Sequence, residues 1–186
     1  MPRSQAASAA VMSKVLAPGS VEKQKRPVAG RVGSRQDVRM QAVIHRPGEG
    51  ERHSAGRSAE VVIKAAGEDT SGSFFLSEST IEPGFPGPPA HRHETLHDMF
   101  YVLDGTLTMR LGEETHELGP GTFVCVPPGV IHTFSNHGDT PVRFLNFNTP
   151  SGWEHYMRDL AAAARTRPLT PETIGEIASR YDFEAV

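Results

Sequence analysis

The sequence predicts an all-β domain of the sandwich or barrel type, followed by two helices, and three observations support this prediction. After Met40, short segments rich in β-branched and aromatic residues alternate with Pro-Gly, Gly-Pro and Asp-Gly turn signals, as in antiparallel sandwiches and barrels. Beyond Ser151 the apolar residues recur with the period of a helix,. The first 39 residues show neither pattern. We therefore expect a tail over 1–39, a β domain over 40–150 and helices over 151–186.

The N-terminal stretch 1–39 is predicted to be a disordered basic tail. It contains eight Lys or Arg residues, two acidic residues and no aromatic residue, and such a composition cannot bury enough apolar surface to fold. Three interpretations remain open: a segment that binds an acidic partner, a transit peptide, or an extension without a role.

Strands are predicted wherever β-forming residues lie between turn signals. The segments are Gln41–Arg46, Glu60–Ala66, Ser73–Ile81, Asp98–Leu103, Thr106–Leu111, Thr115–Leu118, Thr122–Val126, Ile131–Asn136 and Val142–Asn148.

Two helices are predicted after the strands. Ser151 is a suitable N-cap for the first helix, and Pro168 marks the end of that helical segment,. Thr170-Pro171 opens the second helix with a capping residue and a proline at the first helical position,. We expect both helices to pack on the β domain, and a lid over its mouth is the alternative. Their apolar stripes consist of Trp153, Tyr156, Met157 and Leu160, and of Ile174, Ile177, Ala178 and Tyr181.

Composition excludes several classes of protein. The chain has 186 residues and a net charge of -3, so nothing indicates binding to nucleic acid or to an anionic membrane surface. It has no apolar run long enough for a transmembrane helix and no long apolar region at its start, so we expect a cytoplasmic protein. Its single cysteine, Cys125, cannot form an intramolecular disulfide and is expected to be a buried, inert thiol.

Three histidines and one aspartate form a candidate metal site. His91 and His93 are two residues apart, so in an extended segment they project to the same side. His132 starts a later predicted strand, and Asp98 starts the strand that follows the histidine pair. Such a mixed nitrogen and oxygen set suits one divalent transition metal ion, such as Fe, Mn, Ni, Co, Cu or Zn, with a coordination position left for water or substrate.

The segments that carry these residues resemble the two motifs of the cupin superfamily. Residues 87–105 read GPPAHRHETLHDMFYVLDG, and residues 121–136 read GTFVCVPPGVIHTFSN, which matches the pattern G-x5-P-x-G-x2-H-x3-N at every fixed position. The resemblance implies a double-stranded β-helix, or jelly-roll barrel, with a metal held by His91, His93 and His132.

The fourth ligand departs from the family pattern, which has Glu where this chain has Asp98. Aspartate is shorter by one methylene group, so it must either lie closer to the metal or act through a water molecule. His97 also fits the allowed spacing. Because adjacent residues of a strand face opposite sides, only one of the two can point inward, and we favour Asp98.

Within the cupins the chain resembles small proteins related to bacterial quercetin 2,3-dioxygenase. The resemblance rests on the phrase FYVLDG at 100–105, on RPGEGE at 46–51 and on the helical end of the chain. It implies a homodimer and an oxygenase that uses O2 on a flavonol-like or other small aromatic or enol substrate, with Asp98 as both metal ligand and catalytic base. Candidate walls of an apolar substrate pocket are Phe100, Phe123, Phe134, Phe144 and Phe147.

Two other functions stay open. A metal-dependent isomerase or lyase acting on a sugar or keto acid would need basic residues near the mouth of the barrel, for which the candidates are Arg92, Arg110 and Arg143. A non-catalytic cupin that binds a small molecule would need no open coordination position.

Overall fold

A computed structural model of the protein describes residues 41–54 and 58–186. The tail predicted over 1–39 lies outside the described residues. Within the described ranges, no helix combines the length and the apolar character needed to cross a bilayer.

The described residues form eleven strands and three helices. The strands are β1 (Glu51–Ser54), β2 (Ala59–Ala65), β3 (Phe75–Ile81), β4 (His91–Arg92), β5 (His97–Asp104), β6 (Leu107–Leu111), β7 (Glu114–Leu118), β8 (Phe123–Val126), β9 (His132–Ser135), β10 (Val142–Thr149) and β11 (Glu184–Ala185), and the helices are α1 (Gly67–Thr70), α2 (Trp153–Ala164) and α3 (Pro171–Ala178).

The strands form two antiparallel sheets. One has the order β1-β2-β3-β10-β5-β8, and the other has the order β11-β4-β9-β6-β7. Neighbours in space are often far apart along the chain, as when β10 pairs with both β3 and β5. This arrangement confirms the predicted all-β class of jelly-roll type.

Strand alternation divides the interior into two apolar clusters. The first lies between the sheets and includes Phe100, Phe144, Leu107 and Met109, which alternate with outward-facing residues as a strand with one buried face requires. The second cluster joins β2 and β3 to the helices. It contains Ile63, Phe75, Leu96, Trp153, Tyr156, Ile177 and Phe183.

Several elements differ from the sequence prediction. Residues 41–46 form no strand, because they are exposed and pair with nothing in the sheets, whereas the polar segment Glu51–Ser54 pairs with β2. Helix α2 begins at Trp153 with Gly152 as its N-cap, one residue later than predicted, since the Glu154 carboxylate accepts the Gly152 N–H at 2.8 Å. Helix α3 begins as predicted, with the Thr170 hydroxyl accepting from the Thr173 amide.

Cys125 is exposed, so the prediction of a buried thiol was wrong. It lies on the edge strand β8 opposite Met99. Because side chains alternate along a strand, the apolar neighbours Val124 and Val126 take the inner face and Cys125 takes the outer one.

Candidate metal centre

Four buried side chains from both sheets converge at one point between them. They are His91, His93, Asp98 and His132, and one ligand atom from each lies within 4.8 Å of all the others. His91 and His132 face each other as the paired residues of β4 and β9, and Asp98 reaches across from β5. The structure thus brings together the four residues that the sequence proposed as ligands.

The separations between the histidines and Asp98 suit a shared ion. The Nε2 atom of His132 lies 3.2 Å from Oδ2 of Asp98, and Nε2 of His93 lies 3.8 Å from the same oxygen. Ligand atoms about 2.0–2.2 Å from a metal are roughly 3–3.5 Å from one another at adjacent positions. A small contraction of the cluster would bring all four atoms to coordination distance.

Backbone carbonyls orient all three imidazole rings. A carbonyl can only accept a hydrogen bond, so each Nδ1 must carry the proton, and each Nε2 then presents a lone pair to the centre of the cluster when its ring is neutral. Histidine ligands of metals usually have such a partner on the far nitrogen. The acceptors are Pro89 at 2.9 Å for His91, Val130 at 3.0 Å for His132, and Asp182 for His93.

The Nε2 atom of His93 is buried and has no hydrogen-bond partner among the described residues. A buried polar atom without a partner costs free energy. A cation held by the cluster would remove that cost, because it needs the lone pair that this nitrogen offers. The donor set therefore fits a divalent metal ion.

Two asparagines, not foreseen from the sequence, hold the carboxylate. The Nδ2 atoms of Asn146 and Asn148 each lie 2.6 Å from Oδ1 of Asp98, which leaves Oδ2 to face the histidines. The only sequence signal was two polar residues at alternate positions on the buried face of β10. His97, the alternative to Asp98, is exposed on the other face of β5.

Charge within the cluster is set by one acid among three bases. Burial opposes ionisation of Asp98, but the hydrogen-bonding contact with His132 and the nearby ring of His93 outweigh it and lower the pKa of Asp98 to about 2. Burial and the neighbouring His132 lower the pKa of His91 to about 3. Burial opposes the charged form of His93, yet the nearby Asp98 carboxylate and the hydrogen bond to the Asp182 carbonyl raise its pKa. At neutral pH the carboxylate is charged and His91 is neutral.

Three of the five phenylalanines proposed for the pocket lie together. Phe100, Phe134 and Phe144 contact one another with ring centroids 5.4–5.7 Å apart. Phe123 is 59% exposed, and Phe147 lies on the face of β10 opposite to Asn146 and Asn148. Strand alternation therefore removes Phe123 and Phe147 from the proposed wall.

A cavity of about 530 Å³ adjoins the cluster at His93. Arg92 belongs to its lining but is bound to the Glu184 carboxylate at 2.7 and 2.8 Å. Arg110 and Arg143, the other basic candidates, are exposed and do not line it. A larger cleft of about 820 Å³ lies between residues 41–47 and strands β2 and β3, and it contains none of the four clustered residues.

Comparison with known proteins identifies the same region of the chain. The family model of the cupin domain matches residues 77–148. The chain is 36% identical over 91 residues to quercetin 2,3-dioxygenase of Bacillus subtilis, a match that covers 48% of this chain and 26% of that enzyme. It is 32% identical over 60 residues to an uncharacterized protein of Methanocaldococcus jannaschii, covering 32% of this chain and 48% of that protein.

The chain thus spans less than half the length of both curated relatives. Among solved structures, the polyketide cyclase RemF from Streptomyces resistomycificus superimposes with a TM-score of 0.50 and 25% identity, over 60% of this chain and 81% of that one.

Proposed function

We propose that this chain, whose residues 77–148 match the cupin domain, is a metal-dependent enzyme acting on a small molecule at the buried cluster. The observation that carries the proposal is the convergence of three Nε2 atoms and one carboxylate oxygen within 4.8 Å. An electrostatic network that served stability alone would not leave the Nε2 atom of His93 buried without a partner,.

Each proposed ligand has a defined atom for the metal. His91, His93 and His132 would each offer Nε2, and Asp98 would offer Oδ2, since its Oδ1 is occupied by two amides. A divalent ion such as Fe, Mn, Ni, Co, Cu or Zn held there would polarise a substrate oxygen and hold the substrate in place.

We assign the reaction to the oxygenase class of quercetin 2,3-dioxygenase, with O2 and a flavonol-like or other small aromatic or enol compound as substrates. The supporting observation is the 36% identity to that enzyme over 91 residues. The aromatic group Phe100, Phe134 and Phe144 provides an apolar surface between the sheets. Asp98 would accept the proton of the substrate hydroxyl at Oδ2, and its low pKa requires that this hydroxyl be acidified as the proton leaves,.

The arginines weaken the alternative of an isomerase or lyase acting on a sugar or keto acid. An anionic substrate such as a keto acid needs a free cationic group, and Arg92, which lines the described cavity, is already bound to Glu184. The second candidate is a non-catalytic protein that binds a small molecule, because such a protein needs no open coordination position on the metal.

An O2-uptake assay separates these functions. The purified protein would be loaded in turn with Fe, Mn, Ni or Co and mixed with flavonols, and keto-acid turnover would be followed in parallel. We expect O2 consumption with a flavonol and at least one metal. A fully metallated protein that turns over neither class of substrate would contradict the enzymatic proposal and favour the binding protein.

Asp98→Asn tests the proton-accepting role. The amide keeps the size of the side chain and the three histidines remain, so we expect much of the metal binding to survive while turnover falls by about 100-fold or more, as removal of a general base does. His97→Asn, on the exposed face of the same strand, is the matched control and should keep full activity. Undiminished turnover by Asp98→Asn would exclude Asp98 as the base.

We also propose that the protein is a homodimer, as its resemblance to small cupins suggests. Sedimentation velocity of the full chain checks the oligomeric state, and a monomer at micromolar concentration would contradict it.

A further inference from the structure

We propose that residues 182–186, termed here the strap, are a working part of the metal site. Asp182 and Phe183 act as positioning residues for His93 and His91, so that docking of the strap and binding of the metal favour each other. This inference rests on the proposed metal centre and adds to it an element far away in the sequence.

Asp182 fixes the loop between the histidine pair and Asp98. Its carboxylate accepts hydrogen bonds from the backbone amides of Glu94, Thr95 and Leu96 at 2.5, 2.9 and 2.9 Å. Its backbone carbonyl accepts from Nδ1 of His93. A single residue thus sets both the orientation of the His93 ring and the course of the chain from His93 to the next strand.

Phe183 fixes the second histidine. Its ring stacks on the His91 imidazole with centroids 4.2 Å apart and planes 13° apart. Its other neighbours are Trp153 and Tyr156 in helix α2, and Trp153 also places an edge against His93 at 5.0 Å. Both histidines of the pair therefore pack against aromatic rings from outside the cluster.

The strand that carries His91 depends on the strap for most of its pairing. β4 has only two residues and meets β9 through the single pair His91 and His132. On its other side β11 pairs with both of its residues, and the Val186 amide donates to the Ala90 carbonyl at 2.9 Å. Without the strap, β4 would become an edge strand held by one residue pair.

Groups that bind the far side of a histidine ligand usually change metal affinity by 10- to 100-fold when they are removed. Coupling between two events is also reciprocal. If the strap improves metal binding by some factor, the metal must stabilise the docked strap by the same factor.

Cobalt titration of the full chain tests the first half of this linkage. We compare wild type, Asp182→Ala and Phe183→Leu, with Glu113→Ala in the exposed β6–β7 turn as a control that also removes one acid. Asp182→Ala keeps the backbone carbonyl but removes the carboxylate that holds the amides of residues 94–96, and Phe183→Leu removes the ring that stacks on His91. Because both changes loosen the histidine pair, we expect the two strap variants to bind Co²⁺ more weakly, by up to about 10- to 100-fold, with a changed visible spectrum that reports altered ligand geometry. The control should match wild type in its affinity for Co²⁺ and in its visible spectrum.

Hydrogen exchange of the wild-type protein tests the second half. Addition of Co²⁺ should slow exchange at the amides of Glu94, Thr95, Leu96 and Val186 by about tenfold or more, while the amides of the β6–β7 ladder should not change. This measurement does not depend on any variant, so it stands even if Asp182→Ala fails to fold.

The outcomes separate the two proposals. If wild type binds no cobalt, the metal centre itself is wrong, and the role of the strap falls with it. If wild type binds one ion while both strap variants bind it as tightly and exchange is unchanged, the metal centre stands, and residues 182–186 only cover the barrel.

Discussion

His132 and His137 lie close together in the sequence but in opposite surroundings. His132 is fully buried with Nε2 in the cluster, whereas His137 is exposed and its ring contacts the Ser135 hydroxyl. We expect His132→Ala to weaken metal binding by more than about 100-fold, because it removes a proposed ligand rather than a supporting group. His137→Ala should bind one metal ion per chain, as wild type does. Elemental analysis after gel filtration decides this, and equal loss in both variants would overturn the ligand assignment.

Asn148 links the fold of β10 to the chemistry of Asp98. Its side chain is fully buried, donates to Oδ1 of Asp98 at 2.6 Å and leaves its own oxygen without a partner among the described residues. We expect Asn148→Leu to lower the free energy of unfolding by about 1–3 kcal/mol, since it removes a donor from a buried charge. It should also raise the pKa of Asp98.

Urea unfolding of the metal-free protein measures the change in stability. Metal titration as a function of pH measures the change in the pKa of the Asp98 carboxyl group. Thr149→Val is the matched control, because Thr149 is the next residue on β10 and its hydroxyl makes an exposed bond to the Ser73 carbonyl. Equal stability of Asn148→Leu and wild type would show that Asp98 does not need the second amide.

At the level of the elements, Glu154 ties helix α2 to the start of α1. Its buried carboxylate accepts the amide of Gly67 at 2.9 Å and that of Gly152 at 2.8 Å. Glu154→Ala leaves both donors without this partner, and we expect it to cost about 2 kcal/mol or more. Glu172→Ala, at the exposed start of α3, should change stability by less than about 0.5 kcal/mol. Thermal unfolding compares the melting temperatures of the two variants with that of wild type. Equal melting temperatures of Glu154→Ala and wild type would show that water replaces the carboxylate.

The elements that could be predicted from the sequence are those with a local signal. β10 has an alternating pattern and α3 has a capping threonine followed by proline, so the sequence located both closely. β4 and β11 have two residues each, too few for any period, and they form only because distant segments meet.

In the candidate metal site, too, residues with a local sequence signal could be predicted and residues that meet only through the fold could not. The four clustered residues lie in two local motifs and were proposed from them, whereas Asp182 contacts residues 94–96 from a position 86 to 88 residues later in the chain. No local pattern marks that contact. Asn146 and Asn148 had a weak signal, because polar residues on the buried face of an otherwise apolar strand need partners.

At the scale of the whole molecule, the sequence predicts that residues 1–39 add little to folding. They are basic and lack aromatic residues, and the described residues from Ala59 onward already form two apolar clusters. We expect a variant that begins at Met40 to melt within about 2 °C of the full chain. A change of about 1 kcal/mol in the free energy of unfolding would shift the melting temperature of a domain of this size by roughly 2–4 °C. Differential scanning calorimetry checks this, and a larger fall would show that the tail packs on the domain.

The charge of the cluster should give the metal-free protein a stability maximum near pH 6.5. His91 has a folded pKa of about 3, below its usual 6.5, so the unfolded chain binds more protons, and stability is lost as the pH falls from 6.5 toward 3. His93 has a raised pKa, so the stability that it contributes is lost as the pH rises from 6.5 through its folded pKa. One proton corresponds to a slope of about 1.4 kcal/mol per pH unit.

His91→Asn isolates the acid side of this profile. The amide can still donate to the Pro89 carbonyl but takes up no proton, so the slope between pH 6.5 and 4.5 should become flatter. Asp98 does not contribute there, because its stabilisation is lost only as the pH falls from 3.8 toward about 2. His137→Gln, at an exposed position, should leave the slope unchanged. Urea unfolding of the chelator-treated proteins at a series of pH values measures the slopes, and an unchanged slope in His91→Asn would mean that His91 accepts a proton as readily in the folded barrel as in the unfolded chain.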